Sequence, residues 1–309
     1  VQTAHDFAIL YNLTVELWPD ETRRPVLFGP DPHSLHGPTG SQLDWIASWL
    51  DSMASRDVPV HAVTHHQYTE VDPSAKGFTS ATKLSLNGAI AAAINKTVRE
   101  HSKTARVFGG EIGPHNGGSP PCDHSSMRWA VFGDSFWYAD NLAAMAAHGY
   151  SGMCRQDYIG ADYGMLDCIT GTPLPDYYTA LLWARTMGPT VLGTATTDKV
   201  TGKAQPPESS TLRIYSHCTN KGTAMYSGAS GSVAILAINL GDTASTIHFP
   251  AALGRTVHEY VLTPSSDASL SLSGQVGVMG TVALLNGKPL KIEDDGAVPN
   301  MPPVVHAQS

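Results

Sequence analysis

Apolar and polar positions in the first part of the chain switch repeatedly between two periods. Short runs rich in β-branched and aromatic residues alternate with longer stretches in which apolar residues recur every three or four positions. Strand and helix pairs of this kind predict a parallel sheet covered by helices, and four of them make half of an eight-stranded (β/α)8 TIM barrel. The predicted pairs of strand and helix are 26–29 with 41–50, 59–66 with 80–101, 105–110 with 125–148, and 151–156 with 177–187.

Two of the predicted helices begin with a residue type that commonly caps a helix. Ser41 is followed three positions later by Asp44, which resembles a capping box. Asp176 stands just before the last helix and is expected to cap it through its carboxylate. Gly149 and Gly188 follow the last two helices and predict where they end.

Beyond Gly188 the pattern changes to short strand-like runs separated by Gly, Ser, Pro and Asp. Runs of this spacing without helical stretches between them predict an all-β module. The sequence therefore predicts an α/β fold in two domains, a partial (β/α)8 barrel at 1–188 and an all-β domain at 189–309. The strand-like runs are 190–197, 212–217, 233–240, 245–249, 257–262 and 282–285.

Composition narrows the class of protein. The 309 residues are 42% hydrophobic and 15% charged, so the chain can bury a substantial core. The formal net charge is −8, and the sequence has no basic cluster beyond Arg23 and Arg24. This composition disfavours a nucleic-acid binder or a receptor for strongly sulfated polymers. The longest apolar runs, such as 233–238, are far shorter than the roughly 20 residues that cross a bilayer.

Reactive groups of a β/α barrel gather where the strands end, and three predicted strand ends are polar. The second ends in His-His-Gln-Tyr at 65–68, the third in Gly-Gly-Glu-Ile-Gly at 109–113, and the fourth in Cys-Arg-Gln at 154–156. Glu111 is the leading catalytic candidate, because the glycines around it remove side-chain bulk and leave backbone N–H groups open to a substrate. A salt bridge between Glu111 and Arg155, with no catalytic role, is the alternative.

These segments together resemble glycoside hydrolase family 79, which holds the heparanases and the heparanase-like β-glucuronidases. The resemblance runs in order along most of the chain, includes both predicted domains, and is closest in appearance to the plant-type members. The segments that carry it are Phe-Gly-Gly-Glu at 108–111, Gly-Gly at 117–118, Phe-Trp-Tyr-Ala-Asp at 136–140, Cys-Arg-Gln at 154–156, Pro-Asp-Tyr-Tyr at 175–178 and Tyr-Ser-His-Cys-Thr at 215–219.

The resemblance implies a retaining glycosidase built on a catalytic (β/α)8 barrel at 1–188 and a β-sandwich at 189–309, with Glu111 at the position of the nucleophile. Retention needs a second carboxyl group about 5 to 5.5 Å away as the acid/base. In the family this residue is the glutamate of an Asn-Glu-Pro motif, and no such motif occurs in the sequence. We therefore expect the acid/base, half of the barrel and the closing strand of the sandwich to lie outside these residues, and we expect the segment alone to be inactive and prone to aggregate through its open sheet edge.

The resemblance also implies residues that bind a uronic acid. Gly117 and Gly118, through their backbone amides, and Tyr163, through its hydroxyl, match groups that hold the sugar carboxylate. The alternative is that the glycines form a turn and that Tyr163 covers a loop. Where relatives have an aromatic residue after the nucleophile, this chain has Pro-His-Asn at 114–116, which leaves the contribution of that loop open.

Three further residues are expected to face the same substrate. His65 and Tyr68 match the family's paired histidines and aromatic residue, and the Tyr68 hydroxyl is expected to donate to Glu111. Gln156 is expected to bind sugar hydroxyls. The alternatives are ordinary hydrogen-bonded histidines and a buried strand-end glutamine. A zinc site at His61, His65 and His66 is disfavoured, because strand alternation sends His66 to the opposite face from the other two.

The function predicted first is hydrolysis of a terminal β-glucuronide on a glycan, proteoglycan or small glycoside. The alternatives are endo-cleavage of heparan sulfate and a non-catalytic carbohydrate-binding relative. No cofactor, metal or nucleic acid is expected. The resemblance and the sequons at 12–14 and 95–97 indicate a protein of the secretory pathway, in the extracellular space, cell wall, lysosome or vacuole. Cys122 and Cys168, in loops after the third and fourth strands, are a possible disulfide pair.

Overall fold

The computed structural model describes residues 2–117, 123–124, 127–160, 162–197, 204–205, 210–220, 231–249, 255–293 and 296–307. The chain divides into two compact units, each made of several stretches of sequence. The first unit consists of 1–70, 82–116 and 141–156, and the second of 71–81, 117–140 and 157–309. The boundary predicted near residue 189 falls inside the second unit, where a helix gives way to the first antiparallel strand, and it stays a prediction.

The first unit is built on a four-stranded sheet in the order β1-β2-β3-β4. All three neighbouring pairs are parallel, as the alternation of strand and helix predicts. Its strands are Phe28–Pro30 (β1), Ala62–Tyr68 (β2), Arg106–Gly113 (β3) and Tyr150–Arg155 (β4). The helices in this part of the chain are Gln2–Leu17 (α1), Ser41–Ala54 (α2), Ala75–Phe78 (α3), Ala81–His101 (α4) and Asp134–Ala147 (α5).

The core of the first unit forms where helix faces meet the sheet. On α2 the buried residues Ile46, Trp49, Leu50 and Met53 recur at the three-and-four spacing that the sequence shows. Phe7 of α1 packs edge-on against Trp49, with the ring centroids 5.2 Å apart. Each fully buried large apolar side chain stabilises the fold by roughly 1.5–3 kcal/mol, so this face of α2 fixes the helix against the sheet.

Both helix caps differ from their predictions. Helix α2 includes Ser41 in its first turn, and Gly40 stands at the cap position with no side-chain bond. The last helix, Pro175–Thr186 (α6), begins one residue before Asp176, because proline lacks an N–H and has a φ that suits the first helical position. Asp176 therefore lies within the first turn, where its buried carboxylate accepts a hydrogen bond of 2.9 Å from the Ser135 hydroxyl.

The named strands of the second unit pair antiparallel in each strand pair that the structure describes there. Its largest described sheets are three-stranded, in the orders β5-β8-β9 and β11-β12-β13. The strands are Met187–Leu192 (β5), Thr196–Thr197 (β6), Ala204–Gln205 (β7), Leu212–Thr219 (β8), Val233–Asn239 (β9), Thr256–Glu259 (β10), Leu262–Pro264 (β11), Ala283–Leu285 (β12), Lys288–Pro289 (β13) and Val304–Ala307 (β14).

A sealed ion pair joins β8 to α5 inside the second unit. Arg213 and Asp140 both have fully buried side chains, and Nη1 lies 3.1 Å from Oδ1. The Tyr215 hydroxyl donates to the same carboxylate oxygen at 2.7 Å, and Nη2 of Arg213 donates to the carbonyl of Ala81 at 2.7 Å. These hydrogen bonds offset part of the cost of removing the two charges from water.

The cysteines divide into two groups. Cys168 is disulfide-bonded, whereas Cys154 and Cys218 are free thiols. Cys122, its predicted partner, lies outside the described residues. Among the helices that the structure describes, none combines the length and the apolar character that crossing a bilayer requires.

Candidate active site

Glu111 lies on β3 just after an irregularity in the sheet. Gly109 pairs with His65 of β2, and the next pair is Glu111 with His66, so Gly110 is an extra residue on β3. The pairing of β3 with β4 also shifts between Gly109 and Ile112. Such a bulge bends a strand and redirects the side chain that follows it, and bulges are enriched beside active sites.

The Glu111 side chain is 35% exposed and meets two groups from β2. The Tyr68 hydroxyl donates to Oε1, as predicted, and Tyr68 itself is 3% exposed. Nδ1 of His66 lies 3.5 Å from the same oxygen. These neighbours stabilise negative charge on the carboxylate. Both contacts are made to Oε1. No donor among the described residues contacts Oε2. The alternative salt bridge between Glu111 and Arg155 is not formed.

His66 also contacts a second carboxylate, that of Asp31. Nε2 lies 3.1 Å from Oδ2 of Asp31, the residue directly after β1. A Cβ at Gly110 would lie 2.0 Å from Oδ1 of Asp31, so any larger residue there would have to displace the Asp31 carboxylate. The bulge glycine therefore leaves the space in which the Asp31 carboxylate lies. His66 and Glu111, together with Asp31 and Tyr68, form what we call the strand-end cluster.

His65, predicted to contact substrate, is instead buried within the sheet. Its ring has no exposed surface, Nε2 lies 2.9 Å from the Tyr150 hydroxyl, and Nδ1 lies 3.2 Å from the carbonyl of His66. Burial lowers the pKa of His65 to about 4 and raises the pKa of Tyr150 well above its usual value. His65 is therefore a neutral, hydrogen-bonded part of the packing, which was the alternative. Alternation along β2 places it and its neighbour His66 on opposite faces.

Gln156 follows β4 at the same edge of the sheet. Its backbone N–H donates to the carbonyl of Ile112 at 2.8 Å, and the Arg155 guanidinium donates to its carbonyl oxygen. The residue is half-buried. The backbone thus holds Gln156 next to the end of β3, and its role toward sugar hydroxyls stays a prediction.

The three residues predicted to hold a uronate carboxylate belong to the second unit. Tyr163 is 4% exposed, and Gly117 is half-buried. Gly118 lies outside the described residues. Their role stays a prediction.

The structure adds a second carboxylate–histidine contact that sequence reasoning missed. Oε2 of Glu70, which follows β2, lies 2.7 Å from Nδ1 of His115, and its Oε1 accepts the N–H of Asn116 at 3.0 Å. Glu70 thereby ties down the loop that departs from the family pattern. Asp31 was missed as well. At the other strand ends, a polar residue near the end of the strand was the signal for a site residue. The same signal after β1 predicts Asp31.

No protein-family model matches the chain, but individual relatives do. Heparanase-like protein 1 of Arabidopsis thaliana is 31% identical over 278 residues, which cover 80% of this chain and 47% of that protein. Baicalin-beta-D-glucuronidase of Scutellaria baicalensis is 28% identical over 314 residues, with coverage of 97% and 50%. Heparanase of Mus musculus is 28% identical over 302 residues, also with coverage of 97% and 50%. The chain thus spans about half the length of the relatives it matches.

Among solved structures, a glycoside hydrolase family 44 endoglucanase from Clostridium acetobutylium ATCC 824 is similar over 99% of this chain and 59% of its own. The TM-score is 0.52 and the sequence identity 11%, so this likeness concerns the fold alone. The fold is the mixed α/β fold of TIM-barrel glycoside hydrolases. Together with the strand-end motifs, the relatives support assignment of the chain to glycoside hydrolase family 79, the family of heparanases and heparanase-like β-glucuronidases.

Proposed function

We propose that this chain carries the nucleophile of a retaining glycoside hydrolase that acts on β-glucuronides, and that the nucleophile is Glu111. The observation that supports this most is the placement of Glu111 at the bulge of β3, where one oxygen meets Tyr68 and His66. The donors hold the carboxylate in one orientation and leave the opposite oxygen for attack. A carboxylate that formed only a structural salt bridge would have no need of this arrangement.

In the proposed reaction an oxygen of Glu111 forms a bond to the anomeric carbon while the glycosidic C–O bond breaks. The electron pair goes to the leaving oxygen, which takes a proton from a second carboxyl group about 5 to 5.5 Å away. Water then attacks the ester, the second carboxylate takes its proton, and Glu111 leaves as a carboxylate. We propose that the second carboxyl lies on strands of a (β/α)8 barrel other than the four of the first unit, and that these four strands with their helices are inactive alone. The β-rich part is proposed to form the accompanying sandwich.

The substrate class follows from the relatives and from charge. One relative is named a β-D-glucuronidase and another a heparanase. At the edge of the sheet where Glu111 lies, Asp31 and Glu70 add two further carboxylates. A sulfated polymer would be repelled there, so we propose exo-hydrolysis of a terminal glucuronide over endo-cleavage of heparan sulfate. Gly117, Gly118 and Tyr163 are proposed to bind the sugar carboxylate through uncharged donors.

We also propose that the protein works in the secretory pathway or outside the cell. The disulfide at Cys168 supports this, since structural disulfides persist mainly in oxidising compartments. The partners proposed there are glucuronic-acid-containing glycans, proteoglycans or small glycosides.

A mechanism-based inhibitor tests the proposal. The complete gene product is incubated with a 2-fluoro-glucuronyl fluoride, digested, and sequenced by mass spectrometry. We expect one covalent label, on the peptide that contains Glu111, and loss of hydrolysis of an aryl β-glucuronide in step with labelling. A label on another residue would refute the nucleophile assignment. Binding of the glucuronide without turnover or label would favour a non-catalytic relative, and release of oligosaccharides from heparan sulfate without free glucuronic acid would favour the endo alternative.

A further inference from the structure

We propose that Asp31 is a positioning residue for this reaction, acting through His66 on Glu111. This inference rests on the proposed function of Glu111 and adds to it a second carboxylate with a role in the same chemistry. Asp31 does not reach the sugar in this proposal. It holds the His66 ring so that Nδ1 stays directed at the Glu111 oxygen and keeps that ring positively charged.

The first argument is the number of hydrogens on the ring. Nε2 of His66 lies 3.1 Å from Asp31 Oδ2, and Nδ1 lies 3.5 Å from Glu111 Oε1. A carboxylate oxygen accepts hydrogen bonds, and a neutral imidazole carries only one N–H. The Nε2 contact is a hydrogen bond and the Nδ1 contact lies within ion-pair distance, so two carboxylates facing the two ring nitrogens favour the imidazolium, in which both nitrogens carry a hydrogen. Asp31 beyond β1 and Glu111 on β3 are the described titratable groups that these nitrogens face, and the adjacent His65 is neutral.

The second argument is that the backbone builds the contact. The Asp31 N–H donates to the carbonyl of Thr64 at 3.2 Å, and the His66 N–H donates to the carbonyl of Pro32 at 3.1 Å, so the pairing with β2 continues past the end of β1. Asp31 has a φ of 58°, a strained conformation for a residue with a side chain. Together with the missing Cβ of Gly110, this places the carboxylate beside the bulge.

The third argument is the charge balance of the reaction. When Glu111 becomes an ester its negative charge disappears, and when water cleaves the ester the charge returns on the departing carboxylate. An imidazolium 3.5 Å away stabilises that departing charge. Asp31 keeps the positive charge on His66 during the step in which Glu111 is neutral. Loss of Asp31 should therefore slow turnover more than it weakens substrate binding.

The test compares Asp31→Asn with Asp51→Asn in the complete gene product. Asp51 faces His101 at 2.8 Å on the surface, so it is a matched carboxylate–histidine pair away from the strand-end cluster. We expect kcat for Asp31→Asn to fall about 10- to 100-fold, as for other groups that orient a reacting residue, with KM changed less than threefold. Asp51→Asn should match the wild type. In spectra of ¹⁵N-histidine protein, His66 should carry two N–H groups in the wild type and one in Asp31→Asn.

Gly110→Ala provides a second route if Asp31→Asn fails to fold. Its methyl group displaces the Asp31 carboxylate without removing it, so the same change in the His66 signals is expected. A wild-type kcat in Asp31→Asn overturns the inference, and so does a lowered kcat with unchanged His66 signals. Failure of the proposed function is detected separately, by the site of inhibitor labelling in the wild-type protein. A label on a residue other than Glu111 rejects Glu111 as the nucleophile. A label on Glu111 in the wild type and in every variant confirms the nucleophile, so the kcat and His66 signals then test the role of Asp31 alone.

Discussion

Carboxylates paired with basic side chains occur in both units, but the pairs differ in their access to water. In the strand-end cluster of the first unit, the side chains of Asp31, His66 and Glu111 are 42%, 26% and 35% exposed. In the second unit Arg213 and Asp140 have no exposed side-chain surface. An open pair can meet a ligand and change its charge during a reaction, whereas a sealed pair must keep its charge because water cannot replace a lost partner. The difference in access to water supports the chemistry proposed for the open cluster and favours a structural role for the sealed pair.

The largest effect is expected when the open cluster loses its central carboxylate. Glu111→Gln replaces the proposed nucleophilic carboxylate by a neutral amide, and loss of a covalent nucleophile typically lowers kcat by about 10⁴-fold or more. The free energy of unfolding should change by less than about 1 kcal/mol, because the side chain is partly exposed. Steady-state hydrolysis of an aryl β-glucuronide and urea denaturation measure the two quantities on one preparation.

The matched control for this change is Glu16→Gln, which alters an exposed glutamate on α1 and should change neither quantity. If Glu111→Gln unfolded the protein while hydrolysis per folded molecule persisted, Glu111 would have a structural role, and the contrast between the two units would not hold.

The sealed pair should show the opposite result. Arg213→Met leaves the Asp140 carboxylate buried without its cation, and breaking a buried pair from one side costs about 3–5 kcal/mol. We expect this loss in the free energy of unfolding, with kcat per folded molecule unchanged.

The double variant Arg213→Met with Asp140→Leu separates charge from packing. Replacing both partners by apolar groups removes the isolated charge, so it should recover a large part of the loss. If the double variant is less stable than Arg213→Met alone, the two residues contribute through packing and not through their charges.

His65 extends the comparison to a sealed group that must stay neutral. Burial lowers its folded-state pKa to about 4, below the ordinary unfolded value of about 6.5. Between these values the unfolded chain binds a proton that the folded chain does not, so stability falls as the pH decreases. Its contribution is complete above about pH 6.5 and is lost as the pH falls to about 4, on the order of 3 kcal/mol.

Urea denaturation at several pH values between 4 and 7 measures this dependence. His65→Gln should flatten it, whereas His5→Gln, which replaces an exposed histidine on α1, should leave the slope as in the wild type. An unchanged slope in His65→Gln would assign the acid sensitivity of the protein to other groups.

The sequence predicts the open cluster better than the sealed pair, for a physical reason. The hydrophobic period predicts where strands end, and it therefore predicts that Tyr68 and Glu111 lie at the ends of neighbouring strands. The contact between them is implied by the family resemblance. The contact between Asp31 and His66 depends on the register between β1 and β2 and on the bulge at Gly110, which no periodicity encodes. Arg213 falls in a strand pattern where a charged residue suggests an outward position.

Helix boundaries show the same limit. Helix α4 was predicted to within one residue, because its apolar spacing is long and regular. Helix α5, predicted from residue 125, begins at Asp134, and α6 begins at Pro175 and not after Asp176. Whether a side chain caps a helix depends on the tertiary partners that compete for it. The Asp176 carboxylate, which the local sequence predicts to be a cap, accepts a hydrogen bond from Ser135.

The smallest effect should come from the most exposed pair. Lys96 and Glu100 lie one turn apart on α4 with their charged atoms 2.7 Å apart, and their side chains are 74% and 54% exposed. Water and salt screen such a pair, so Lys96→Gln should change the free energy of unfolding by no more than about 0.5 kcal/mol, and less at high salt. A urea titration at low and high ionic strength measures both. A loss above 1 kcal/mol would mean that the short distance between the two charges, and not their exclusion from water, sets the strength of an ion pair in this protein. Exposure would then not distinguish the sealed pair from the open cluster. The roles proposed for them would have to be argued from geometry alone.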